Sequence, residues 1–154
     1  MRTVGELTDL LRSEGRKLTP QRQCILDVLA ATEGGHPSAE AVHAAVVERL
    51  PMVSLKTVYQ TLNDLVALGE LRHLDLGGGA ARFDVNVTAH HHLVCDTCGR
   101  IWDVMADAPG IELPSGAAGF VVAATDIVYR GHCGPCRAGH GALVAPHPAP
   151  GPGA

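Results

Sequence analysis

The chain has 154 residues, enough for one ordinary domain or two small ones sharing an interface. Hydrophobic residues make up 46% of it but only Tyr59, Phe83, Trp102, Phe120 and Tyr129 are aromatic, so aliphatic side chains and alanine must fill the core. No apolar run approaches the roughly 20 residues of a membrane span, the opening "MRTVGELTDLLRSEG" has no signal-peptide apolar region, and a net charge of −4 argues, for the chain as a whole, against a nucleic-acid partner.

Residues 3–14 carry Val4, Leu7, Leu10 and Leu11 at helical spacing, with Gly15 as a stop. In "LTPQRQCILDVLAAT", Thr19 is placed to cap a second helix that has Pro20 at its first position and Cys24, Ile25, Val28 and Leu29 on one face. A third helix is expected from Ser38 until just before Pro51. The fourth, "SLKTVYQTLNDLVALG", is capped by Ser54, turns Leu55, Val58, Leu62, Leu65 and Val66 inward, and closes at Gly69. "ELRHLDL" and "ARFDV", joined by "GGGA", make a hairpin. Helices followed by a two-stranded ribbon give the winged helix-turn-helix pattern, in which the last helix before the hairpin enters the DNA major groove. Locally the charge is less unfavourable. Arg12, Arg16, Lys17 and Arg22 face only Glu14 across eleven residues, a cluster that suits either phosphates or a solvated face.

Residues 92–104 and 119–130 are expected to be strands around a Gly/Pro-containing stretch, and the Pro/Gly-rich tail is expected to be disordered. The fold class is therefore α+β. Residues 1–85 are expected to form a winged-helix half, 86–140 a β-rich half and 141–154 the tail.

Cytoplasmic localisation is expected, and there paired cysteines signal metal more often than disulfides. Cys95 with Cys98, and Cys133 with Cys136, form two C-x-x-C pairs. Together they supply the four thiolates of a closed structural Zn²⁺ site, here joining two strands distant in sequence. A thioredoxin-like redox pair needs a single C-x-x-C opening a helix, and two disulfides do not suit the compartment. Cys24, alone on an apolar helical face, belongs to the core.

"AHHH" precedes the first cysteine pair. In an extended segment His90 and His92 project to one side and His91 to the other. Asp103 lies in the next strand, where pairing would bring its carboxylate beside them. A mixed imidazole and carboxylate set suits Fe²⁺, Mn²⁺ or Zn²⁺ and exchanges more readily than four thiolates.

From these stretches the chain resembles the ferric uptake regulator (Fur) family over about residues 5–137. The matching segments are "LTPQRQCILDVL", "HPSAEAVHAAV", "SLKTVYQTLNDLVALGEL", "RFDV", "HHHLVCDTCGRIWDV" and "GHCGPC", in family order. The resemblance implies a homodimeric, metal-controlled repressor of a double-stranded DNA operator, not an enzyme. It assigns structural zinc to Cys95, Cys98, Cys133 and Cys136. It assigns a regulatory ion, Fe²⁺ or Mn²⁺, to His36, Asp84, His90, His92 and Asp103. Tyr59 matches a base-contacting tyrosine and Lys17 a basic residue that reaches the minor groove; Thr57 and Gln60 share the recognition helix.

Within the family, aspartate at Asp103 resembles the peroxide-sensing (PerR-type) branch, whereas iron-sensing members resemble glutamate there. That implies sensing of hydrogen peroxide through Fe²⁺-catalysed oxidation of a ligand histidine; the alternative is an iron-responsive repressor of metal-uptake genes. Thr125 stands where a third-site histidine is often used. Two departures stand out: Pro109, Pro114 and glycines interrupt the usual dimerisation helix in "MADAPGIELPSGAAG", and Gln60 follows Tyr59 in place of arginine. From other classes, a His/Asp-metal hydrolase lacks an unassigned general base, and a purely structural zinc module leaves the helical half without a role.

Overall fold

Four helices open the chain, and each starts at a residue whose side chain accepts a hydrogen bond from the first turn. The computed structural model describes residues 2–32, 35–76, 80–105, 116–117 and 119–139. Helix α1 (Val4–Ser13) is closed by a capping box between Thr3 and Glu6. Helix α2 (Pro20–Ala30) has Thr19 accepting from the Arg22 N–H, with Pro20 in the first turn where a missing N–H costs nothing. Helix α3 (Ala39–Val47) is capped by Ser38, and α4 (Leu55–Ala67) by Ser54. Gly69, at φ 72°, supplies the left-handed residue that ends α4. Helix α3 stops earlier than the sequence suggested. Pro51 disfavours helical geometry at Leu50, and turns follow Val47 instead.

Strands β1 (Arg72–Leu74) and β2 (Arg82–Asp84) pair antiparallel with His73 opposite Phe83. The glycines 77–79 expected to turn this hairpin lie outside the described residues. Strand β2 also touches the segment before α3: Ser38 bridges to Arg82, and the Phe83 N–H donates to the Pro37 carbonyl. The apolar faces of the four helices meet in one core that includes Leu7, Leu11, Ile25, Leu26, Leu62, Leu65 and Phe83, all at most 1% exposed. Of the expected inward residues of α4, Val58, Leu62 and Leu65 are fully buried, while Leu55 and Val66 are partly buried at its edge.

The described residues form two compact units, Met1–Thr88 and Ala89–Ala154. The second contains β3 (His91–Cys95), β4 (Ile101–Val104), β5 (Val128–Gly131) and the short α5 (Gly134–Ala138). Sheet order is β4-β3-β5, with β4 antiparallel and β5 parallel to β3. Stretch 92–104 thus divides into two strands about the first cysteine turn, where Gly99 takes φ 67°. The expected strand at 119–130 is shorter than anticipated and begins only at Val128. Ladder pairing needs a partner edge, and β3 offers one to this stretch only from His92 to Cys95. The interrupted helix expected around 105–119 and the tail at 141–154 fall largely outside the described residues.

Candidate functional site

The cysteine set is built where β3 and β5 end side by side. The β3–β5 register sets Cys95 opposite Gly131, two residues before Cys133, and the Asp96 N–H donates to the Gly131 carbonyl. Cys98 sits in the turn between β3 and β4; Cys133 and Cys136 begin and occupy α5. All four sulfurs lie within 4.8 Å of one another, and Cys98 Sγ is 4.0 Å from Cys133 Sγ. Four thiolates at the zinc–sulfur bond length stand about 3.8 Å apart around a tetrahedral ion, close to this spacing. Every cysteine is a free thiol, and Cys24 is buried in the helical core as expected.

Three of the four thiols sit in unlike electrostatic surroundings. Burial opposes ionisation of Cys95, but the Cys133, Cys98 and Thr97 backbone groups outweigh it and bring its pKa down to about 6. Cys136 is pushed up to about 12, first by the Cys133 thiol and then by burial. Burial likewise raises Cys98. A divalent cation reverses this divergence by making all four thiolates favourable at once. The donor set fits Zn²⁺. Around it, Arg130 pairs with Asp96 at 3.2 Å, and His132 Nδ1 lies 2.8 Å from Thr97 Oγ1, two ties between the ends of β5 and β3. Sequence pattern gave no sign of either tie, because the partners are 34 and 35 positions apart.

A second donor set lies further along the same sheet. Asp103 pairs with His92 in the β3–β4 register. His92 is 1% exposed and His90 4%, whereas His91 is partly exposed, as alternation requires. His90 Nε2 stands 3.0 Å from His92 Nε2 and 3.4 Å from Asp103 Oδ1. Three ligand-type atoms therefore converge within one unit. In the first unit, β2 lies against the segment before α3 and brings Asp84 to His36, with Nε2 to Oδ1 at 3.8 Å. Both side chains are almost fully buried. Asp84 Oδ1 accepts from the Asn86 N–H at 2.7 Å, which orients the carboxylate.

The candidate DNA-contacting residues lie on and beside α4. A pocket of about 440 Å³ is lined by Arg16, Lys17, Arg22, Thr57 and Gln60 among others, so three of the four sequence-derived candidates share it. Tyr59 is directed elsewhere. Its hydroxyl donates to Glu40 Oε1 at 2.8 Å, a bond that raises the phenol's pKa and lowers that of Glu40. The basic cluster is only partly available. Arg16 and Arg22 both pair with Asp64 of α4, and Arg12 pairs with Asp9. Asp64 escaped the sequence reading because its partners lie on other elements, 42 positions away in the case of Arg22.

The model of the Ferric uptake regulator family matches residues 13–115, well over half of the chain. This chain belongs to the Ferric uptake regulator family. The family is one of transcription regulators and not of enzymes. The peroxide-responsive repressor PerR of Staphylococcus epidermidis is 36% identical over 93 residues, covering 60% of this chain and 61% of the staphylococcal protein. The chain thus spans less than two thirds of the length of that relative. The Helicobacter pylori ferric uptake regulator, at 22% identity and a TM-score of 0.70 over 88% of this chain and 91% of its own, has the same fold. The Pseudomonas aeruginosa ferric uptake regulator, solved with manganese, is 28% identical with a TM-score of 0.61, over 82% and 97% of the two chains. The Ferric uptake regulator match ends before Cys133 and Cys136, so their place in the Cys₄ set rests on the sulfur geometry itself. Among the described residues no helix is long and apolar enough to cross a membrane.

Proposed function

We propose that the chain is a cytoplasmic, metal-dependent transcriptional repressor that binds a palindromic operator as a homodimer and senses hydrogen peroxide. The observation that carries this reading is the convergence of His90, just before β3, with His92 on β3 and Asp103 on β4, with aspartate as the carboxylate. On this reading a regulatory Fe²⁺ or Mn²⁺ would be held by ligands drawn from His36, Asp84, His90, His92 and Asp103. An ion that binds one conformation of the protein more tightly than another shifts the population towards it, and that differential affinity is the switch. Fe²⁺ held there would supply one-electron reduction of peroxide beside the ligand imidazoles, a chemistry that Mn²⁺ would not readily supply. His36 and His90 are the expected acceptors of the oxygen, and either loses its value as a ligand once modified. Asp103 would hold the ion through a carboxylate one methylene shorter than that of glutamate.

DNA is met by the outer face of α4, with Thr57 and Gln60 towards the major groove and Lys17 towards the minor groove, and with Tyr59 joining them once its hydroxyl exchanges Glu40 for a base. The shared pocket of Lys17, Thr57 and Gln60 supports this docking. Phe120 and Val121, 69% and 88% exposed, support a homodimer that covers apolar surface of the second unit. On this reading residues 1–85 are the winged-helix DNA-binding domain and 86–140 a small α/β dimerisation and metal-binding domain.

The test compares protein loaded with Fe²⁺ and with Mn²⁺. Brief peroxide treatment should abolish operator binding by the iron form alone and add one oxygen to the peptide holding His36 or His90. The zinc cysteines should stay unmodified. Iron-loaded binding that survives peroxide without histidine oxidation selects the iron-responsive reading instead, and cysteine oxidation with zinc release makes the protein a thiol switch.

A further inference from the structure

Resting on the DNA-binding reading above, we infer that Asp64 is a positioning residue that fixes the Lys17 segment to the recognition helix, so that both grooves are contacted at one set spacing. Asp64 lies on α4 seven positions after Thr57 and four after Gln60, on the helix face that turns towards residues 15–22. Its carboxylate is 10% exposed and uses both oxygens. Oδ1 takes Arg16 Nη1 at 3.1 Å and Oδ2 takes Arg22 Nη2. Arg22, itself only 12% exposed, spends its other terminal nitrogen on the Lys17 carbonyl, with Nη1 to O at 3.2 Å.

The result is a continuous link from the recognition helix through Asp64 and Arg22 to the Lys17 backbone. Arg16 adds a second tie on the residue next to it. A lysine ammonium on four rotatable bonds finds a phosphate or groove edge at low entropy cost only if its backbone is already held. Arg22 is well suited to hold it, since a guanidinium can bridge a carboxylate and a carbonyl in fixed geometry and an ammonium cannot. The link also explains how an acidic residue belongs on a surface that meets DNA. Asp64 offsets one of the two positive charges it pairs with, so Arg16, Arg22 and Asp64 together keep one net positive charge beside Lys17 in the pocket lining.

The experiment measures operator affinity against salt for the full-length, metal-loaded protein as wild type, Lys17→Ala, Asp64→Asn and the double variant. Lys17→Ala should weaken binding about tenfold and reduce the salt slope by about one, because it removes a phosphate-directed cation. Asp64→Asn should weaken binding by a similar factor by releasing the Lys17 segment, although it removes a negative charge and so, on charge alone, should tighten binding. Added to Lys17→Ala, it should change affinity less than about twofold, since effects that pass through one residue do not add. Arg22→Lys should reproduce the Asp64→Asn loss, and it carries the test if Asp64→Asn does not fold. Additive losses, or Asp64→Asn binding the operator as tightly as wild type or more tightly, would overturn the positioning role and leave the repressor reading intact. A wild type without salt-dependent binding to any duplex overturns both.

Discussion

The two units hold themselves together by different means. The first buries leucine, isoleucine and valine from four capped helices in one core. Among its described residues, the second buries only Val94, Cys95 and Cys136 as hydrophobic side chains, and two of those three are ligands of the Cys₄ set. Its other deeply buried groups are His90 and His92, which are polar. One unit is stabilised by apolar area removed from water; the other buries little of it among its described residues, and its Cys₄ set is placed to supply stability through a metal instead.

Removing the metal is the most direct way to break this contrast. Cys95→Ser or Cys133→Ser, or a strong chelator, should abolish cooperative unfolding of the second unit, since structural zinc contributes on the order of 10 kcal/mol in small sites. The first unit should keep its helical signal and its own transition. Loss of both transitions together in calorimetry would show that the units are one cooperative body and that the contrast is false.

A smaller effect is expected from the opposite side. Ile25, fully buried in α2, should cost about 2–5 kcal/mol as Ile25→Ala. The loss should appear in the first transition only, with the zinc content by elemental analysis unchanged. The smallest effect concerns the caps. Thr19→Ala removes the acceptor for the Arg22 N–H and should lower first-unit stability by about 1 kcal/mol in urea titrations. Helix α5, whose first turn has no side-chain cap, should be insensitive to comparable changes because Cys133 and Cys136 are held by their sulfurs.

These differences also explain what the sequence disclosed. Caps at Thr19, Ser38 and Ser54, the stop at Gly69 and both C-x-x-C pairs are local signals, with cause and effect a few residues apart, and each was legible. Pairing of His92 with Asp103 was legible as well, because a tight turn joins the strands. What escaped were associations made only by tertiary packing. Asp64 with Arg16 and Arg22, Tyr59 with Glu40, and β2 beside Ser38 leave no periodic trace. The length of β5 escaped for a related reason: it is set by the edge of β3, not by its own residues.

Parallel pairing of β3 with β5 has a topological consequence. The two strands point the same way and finish together, so the thiolates that follow them meet at one end of a long excursion, with Cys98 and Cys133 35 positions apart. An ion across that gap behaves as a removable cross-link. In a chain-entropy treatment, closing a loop of this length takes about 4 kcal/mol of freedom from the unfolded chain. Once the ends are pinned, the contour between them is nearly free to vary: doubling it adds only about 0.6 kcal/mol to the cost of closure. The excursion between β4 and β5 can therefore gain or lose residues, prolines and glycines included, at little expense to the knot that ties its ends.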